Sequence, residues 1–251
     1  MTAVSRPFIS VVVPAYNEAG SIEPNLERIV EYLSAKFSPF EVIVVDDGST
    51  DGTPQSVAQM ARKEPRITVV AFPTNRGKGF VVRQGMLKAE GEHVLFTDAD
   101  LSTPVEAIAK GLKGLEEGSP VVIASRRHAQ SVIVLHQAWA REAVGRVFNL
   151  VVRSLLSLPF QDTQCGFKCF SREAAREIFS LARMDGFAFD VEILVIARRL
   201  GYRVREIPVY WTDSLNSKVR PVRHLSRIVG DLLKIYWNDR RGLYGPERLK
   251  S

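Results

Sequence analysis

Two carboxylates stand one residue apart where an apolar run ends. In HVLFTDADLSTP (93–104), Val94, Leu95 and Phe96 lead into Asp98 and Asp100. On a strand, residues two apart point to the same face. Carboxylates held that close repel, and one is driven to keep its proton. A divalent cation removes the conflict. Mg²⁺ or Mn²⁺ suits one or two carboxylates completed by water and phosphate oxygens. The same spacing has a plainer reading, in which one Asp caps a helix starting near Thr103-Pro104 and the other is solvated.

A second acidic pair sits in VVDDGSTDGT, where Asp46 and Asp47 close another apolar run. An acid at a strand end can accept hydrogen bonds from a ribose or a base N–H. Asp51-Gly52 reads instead as an Asx-turn. NRGKGFVVRQG (75–85) sets two glycines around Lys78. It matches neither a Walker loop nor a dinucleotide fingerprint, but it lets backbone approach a ligand closely.

These residues need elements to hold them. FISVVVPAY, FEVIVVDDGS, RITVVAF and HVLFTDAD read as buried strands. Between them SIEPNLERIVEYLSAKF, TPQSVAQMARKE and KGFVVRQGMLKAE read as helices, the first with Ser21 as its cap. Strict alternation implies an α/β fold, a mostly parallel sheet with helices on both faces. Ligands of such sheets bind beyond the carboxyl ends of the strands. Tyr16-Asn17-Glu18, Asp46-Asp47 and Asp98-Asp100 should therefore line one crevice.

Further on, residues 137–158 read as one long helix with a narrow polar stripe of Glu142, Arg146, Asn149, Arg153 and Ser157. Its broad apolar face calls for burial in the protein, in a homodimer, or against lipid. A second amphipathic helix is expected over 224–237. Trp139 and Trp237 fit interfacial anchors or core aromatics equally. Charge is uneven: residues 198–251 hold 13 Lys/Arg against 5 Asp/Glu, whereas the whole chain carries +6. A basic tail suggests an anionic partner. It lacks the aromatic–basic interleaving of a nucleic-acid surface, so no nucleic acid is expected. No apolar run reaches the roughly 18 residues of a membrane span, and MTAVSRPF lacks a signal peptide's apolar stretch. Cys165 and Cys169, the only cysteines, read as reduced thiols.

VVVPAYNE, VVDDGSTDGT, NRGKGFVVRQGML, FTDADLSTP, DTQCGFKCF, FAFDVEIL and WTDSLNSKV occur in that order. Over residues 8–238 the chain thereby resembles the inverting nucleotide-sugar glycosyltransferases of the GT-A (Rossmann-like) fold. More narrowly, it is similar to the dolichyl- and polyprenyl-phosphate sugar transferases. DADLSTP points to the β-glucosyl branch; the mannosyl branch usually has Gln where Ser102 stands. The resemblance implies transfer of glucose from UDP-glucose, with Mg²⁺ or Mn²⁺, onto a polyprenyl phosphate. It implies a nucleoside pocket of Pro14, Tyr16, Glu18 and Asp46, with Asp47 and Lys78 beside it. Asp98 would contact the donor and, with Asp100, the metal. Arg126 would approach the anionic substrates, Arg141 and Arg146 the acceptor phosphate, and Lys218 the diphosphate. Asp162 would be the base or orient the acceptor. Glu192 either orients an acceptor group or pairs with an Arg. Residues 1–215 would form the catalytic domain, and 216–251 a basic amphipathic segment on the cytosolic face of a membrane. Two alternatives stay open: a GDP-mannose-dependent transferase, and a non-catalytic nucleotide-sugar-binding membrane scaffold.

Overall fold

The computed structural model describes residues 8–135, 149, 151–212 and 221–245. The first half alternates as expected: β1 (Ile9–Ala15), α1 (Ile22–Lys36), β2 (Phe40–Asp46), α2 (Thr53–Lys63), β3 (Ile67–Ala71), α3 (Lys78–Lys88) and β4 (His93–Thr97). The second half holds α4 (Ala107–Glu116), β5 (Val121–Ser125), β6 (Val132–Leu135), β7 (Phe167–Ser171), α5 (Arg172–Leu181), α6 (Phe189–Arg199), β8 (Val204–Pro208), β9 (Tyr210–Thr212) and α7 (Pro221–Arg240). Residues 151–156 are also helical. Ser21 caps α1 only by position: its hydroxyl donates to the Glu18 carboxylate at 2.9 Å.

Seven strands form the main sheet in the order β3-β2-β1-β4-β7-β5-β8, and β6 pairs with β9 in a small second sheet. The inner strands are apolar on both faces because both are covered. Val11, Val13, Val42 and Val44 pack with α1, α2 and α4 on one side. Val12, Ile43 and Val45 pack with α3, α5 and α6 on the other. This is the α/β sheet with helices on both faces that the alternation predicts.

One strand is reversed. β7 runs antiparallel to β4 and β5, with Thr97 opposite Phe167. In a parallel strand, the residues leading in would lie at the rim opposite the ligand site. Reversal brings 162–166 to the rim where β4 ends.

Helix α7 buries Leu232 and Ile235 in the core beneath α6. Asp239 clamps it there, accepting from Arg198 at 2.8 Å and from Arg199 at 2.5 Å. Its other face exposes Val229, Leu233 and Trp237, four residues apart and 47%, 47% and 57% accessible. No helix among the described residues is long and apolar enough to cross a membrane.

Gly85 shows why α3 carries glycine mid-helix despite its entropic cost. A Cβ there would overlap Val12 and come 3.0 Å from Cγ2 of Val45. Gly85→Ala is expected to destabilise the fold by about 1–3 kcal/mol through overpacking, read by urea or thermal unfolding.

Candidate functional site

Strands β1, β2 and β4 are neighbours and parallel, so their carboxyl ends share one rim. Beyond β1, Tyr16 is exposed and Asn17 takes the left-handed φ of 56°. That turn is laced to the one after β2. The Asn17 side-chain oxygen accepts from Thr50 N at 2.8 Å, and Asn17 N donates to the Ser49 hydroxyl at 2.8 Å. Asp46 accepts from Ser49 N at 3.1 Å and from the Ser49 hydroxyl at 2.5 Å. Asp51 accepts from Thr53 N at 2.9 Å, the Asx-turn expected of it. Pro14 is buried within β1, while Glu18 is half-buried with its amide on the Thr53 hydroxyl.

Asp47 works on the next loop. Its two oxygens accept from Arg76 N at 2.7 Å and Gly77 N at 2.9 Å. Burial raises its pKa, and these amide bonds only partly counter that. Asp47 thus fixes the start of α3, where Lys78 is the first residue. Gly77, at φ 110°, and Gly79 lie against the 184–186 backbone so closely that a Cβ on either would overlap a carbonyl there. Phe80 N donates to the Asp185 carbonyl at 3.1 Å, and Arg83 pairs with the Asp185 carboxylate at 2.6 Å.

Lys78 turns back onto the rim and its ammonium meets Asp98 Oδ1 at 2.5 Å. Burial works against the lysine's charge. Asp98, Asp190 and Asp100 more than offset it, and its pKa stands above the usual value. The two aspartates differ here from the strand picture. β4 ends at Thr97, and 98–101 is a turn, with Leu101 N on the Asp98 carbonyl at 3.1 Å and Leu101 at φ 50°. Alternation therefore does not set their directions. Asp98 is held by Lys78, and Asp100 accepts from Ser102 N at 2.9 Å. Neither caps α4, which starts at Ala107. Behind Asp98 lies Gly166, where a Cβ would overlap the carboxylate.

Among the described residues, no three or more His, Cys, Asp or Glu side chains converge as a metal cage. The donor set is still that of a hard cation: two half-buried carboxylates in one turn, with Lys78 as the cation already against one of them. A divalent ion fits if substrate oxygens and water complete its shell.

Asp162 reaches the rim through the reversed strand. Arg126, just past β5, grips it with Nε on Oδ2 at 2.7 Å and Nη2 on Oδ1 at 2.9 Å. Glu206 on β8 accepts from the amides of Gln161 and Asp162 at 3.0 and 3.1 Å. Asn149, a stripe residue, is buried with its amide on the Gln161 carbonyl. Burial alone would raise the Asp162 pKa, but the guanidinium and its hydrogen bonds hold it down at about 2. Such a carboxylate is a weak base at neutral pH. Arg141, Arg146 and Lys218 lie outside the described residues.

One predicted feature finds other partners, and the two cysteines stay as expected. Glu192 accepts from Arg183 N at 2.9 Å, Met184 N at 2.8 Å and the Tyr244 hydroxyl at 2.8 Å. Burial is the main cause of its raised pKa. Cys165 and Cys169 are free and buried. Sequence reasoning missed Lys168, wholly buried on β7 and paired with Asp190. A lysine inside the apolar stretch GFKCF was its signal, since buried lysines are rare unless paired.

Residues 10–179 match the model of glycosyl transferase family 2. The chain is 35% identical to the dolichyl-phosphate beta-glucosyltransferase of Dictyostelium discoideum, over 99% of this chain and 79% of that one. It is 36% identical to the Mus musculus protein of that name, over 97% and 78%. Among solved structures, glucosyl-3-phosphoglycerate synthase of Mycobacterium tuberculosis with UDP superposes at a TM-score of 0.68, with 24% identity over 92% of this chain and 80% of that one. The same enzyme with Mn²⁺, UDP and glucosyl-3-phosphoglycerate gives 0.68 at 22% identity, over 93% and 80%. These structures share the GT-A-like fold with this chain.

Asp162 carries a pH signature. Its carboxyl falls from an ordinary 3.8 to about 2 on folding. The stabilisation is fully present above pH 4 and is lost as pH drops toward 2. Between those limits the native chain should lose about 2 kcal/mol that Asp162→Asn does not, measured by urea unfolding at pH 4 and pH 2.

Proposed function

The chain belongs to glycosyl transferase family 2, and from that premise we propose that it transfers glucose from UDP-glucose, with inversion, to the phosphate of a dolichyl-type polyprenyl phosphate. The observation that carries the reading is the rim turn 98–101, with Asp98, Asp100 and Lys78 gathered where β1, β2 and β4 end. Two relatives about 35% identical over nearly the whole chain are named dolichyl-phosphate beta-glucosyltransferases, which supports the sugar and the acceptor.

Tyr16, Glu18 and Asp46 take the nucleoside end in this reading, and Lys78 the diphosphate. Charge grows on that diphosphate as the bond to the anomeric carbon breaks. A fixed cation beside it lowers the barrier. Asp98 and Asp100 would hold Mg²⁺ or Mn²⁺, which supplies further positive charge to the leaving group. The nucleophile is a phosphate monoester with a second pKa near about 6, already ionised at neutral pH. It needs no strong base, which agrees with an Asp162 locked in its ionised form. Asp162 and Arg126 instead orient the acceptor, with Arg141 and Arg146 as its phosphate clamp. Lys218 closes over the diphosphate.

A prenyl chain must remain in lipid while its phosphate reacts. The Val229, Leu233 and Trp237 face, with Lys234, Arg240 and Arg241 nearby, suits the headgroup boundary of an anionic cytosolic leaflet. The protein then works peripherally, with α7 serving both core and membrane.

Asp100→Ala should cut transfer by about a hundredfold or more with an unchanged melting temperature. The assay follows labelled glucose from UDP-glucose into dolichyl phosphate with Mn²⁺. Native-like rates would end the metal role, and product from GDP-mannose alone would replace the sugar. Leu233→Glu with Trp237→Glu should abolish co-sedimentation with anionic liposomes and spare UDP binding.

A further inference from the structure

Behind the rim lies a buried charge pair that no step above uses. Lys168 is completely buried. It sits on β7 opposite Phe96 of β4, with its ammonium 5.4 Å from that ring's centre. The ammonium donates to the carbonyl of Cys165 at 2.7 Å and to the carboxylate of Asp190 in the first turn of α6. Burying an ion pair rarely adds stability over well-packed apolar residues of the same volume. Its presence therefore calls for another reason.

The connections of this pair supply one. The residue after Cys165 is Gly166, whose Cα packs so tightly on Asp98 that no Cβ fits. Asp190 pairs with Lys168, and its negative charge also favours the charged form of Lys78. Two ion pairs thus lie at and behind the rim, Asp98 with Lys78 and Asp190 with Lys168. Lys168 fixes the carbonyl one residue from the wall behind Asp98.

We propose that Lys168, with Asp190, is a positioning residue of the donor site: it anchors the Cys165-Gly166 turn that holds Asp98 in place. This inference rests on the reading of Asp98 and Lys78 as donor-facing. It makes Lys168 comparable to the outer partners of metal ligands, whose loss costs roughly 10- to 100-fold in affinity or activity.

The test separates position from stability. Lys168→Met with Asp190→Leu removes both charges at nearly constant volume, so its melting temperature should stay close to native. Its affinity for UDP, by calorimetry with and without Mn²⁺, should fall about tenfold. The KM for UDP-glucose should rise in step, with the KM for dolichyl phosphate unchanged. A folded double variant with native UDP affinity and donor KM overturns the inference. Should that variant not fold, Asp190→Asn takes its place, because it keeps an acceptor for Lys168 and deletes the charge that pins its ammonium. Several-fold weaker UDP binding supports the inference, and native binding refutes it. A native chain that binds no UDP sinks the donor-site reading and this inference with it. Native binding alongside unaffected variants sinks the inference alone.

Discussion

The contact between Asp98 and Lys78 is the constraint around which the rim is arranged. A carboxylate at the end of a buried strand requires compensation, and an ammonium 2.5 Å away provides it. Each partner is placed by a different part of the chain. Asp98 is set by the turn after β4 and backed by Gly166. Lys78 is set by Asp47, which holds the two amides before it, and by the 184–186 backbone pressed against Gly77 and Gly79. Four sequence motifs far apart in the chain thus describe the surroundings of a single ion pair.

A second pair repeats the pattern for a different purpose. Arg126 and Asp162 are joined through two parallel hydrogen bonds, the arrangement guanidinium and carboxylate favour most. Asp162 is ionised well below neutrality as a result, which matches the proposed phosphate nucleophile, one that brings its own negative charge. The site is consequently rich in fixed charge, as suits a reaction governed by positioning and electrostatics.

Much of this was legible beforehand, for physical reasons. Strand–helix alternation and the polar residues at three strand ends locate the rim, because a parallel sheet has one ligand edge. The glycines of NRGKG announce close backbone contact, and the 184–186 backbone fills it. Side-chain direction was less legible. The two-residue period placed Asp98 and Asp100 on one face, but β4 stops at Thr97 and the turn beyond it obeys no such period. Glu192 looks like a candidate for ligand contact and proves to hold backbone, as does Asn149 of the polar stripe, since any buried amide or carbonyl must find a partner. The partnership of Lys168 with Asp190 spans 22 residues and two elements, and no local pattern encodes it.

The reversed strand has a consequence for how the chain is made. β7 lies between β4 and β5, and strands are spaced about 4.8 Å apart. Until β7 emerges from the ribosome, β4 and β5 must either stand roughly 10 Å apart or pair wrongly with each other. Both present naked, apolar edges during that interval, the geometry that invites aggregation. Synthesis of residues 126–166 therefore leaves a gap between two apolar edges, and the arrival of Phe167–Ser171 fills it and completes the wall behind Asp98 in one event.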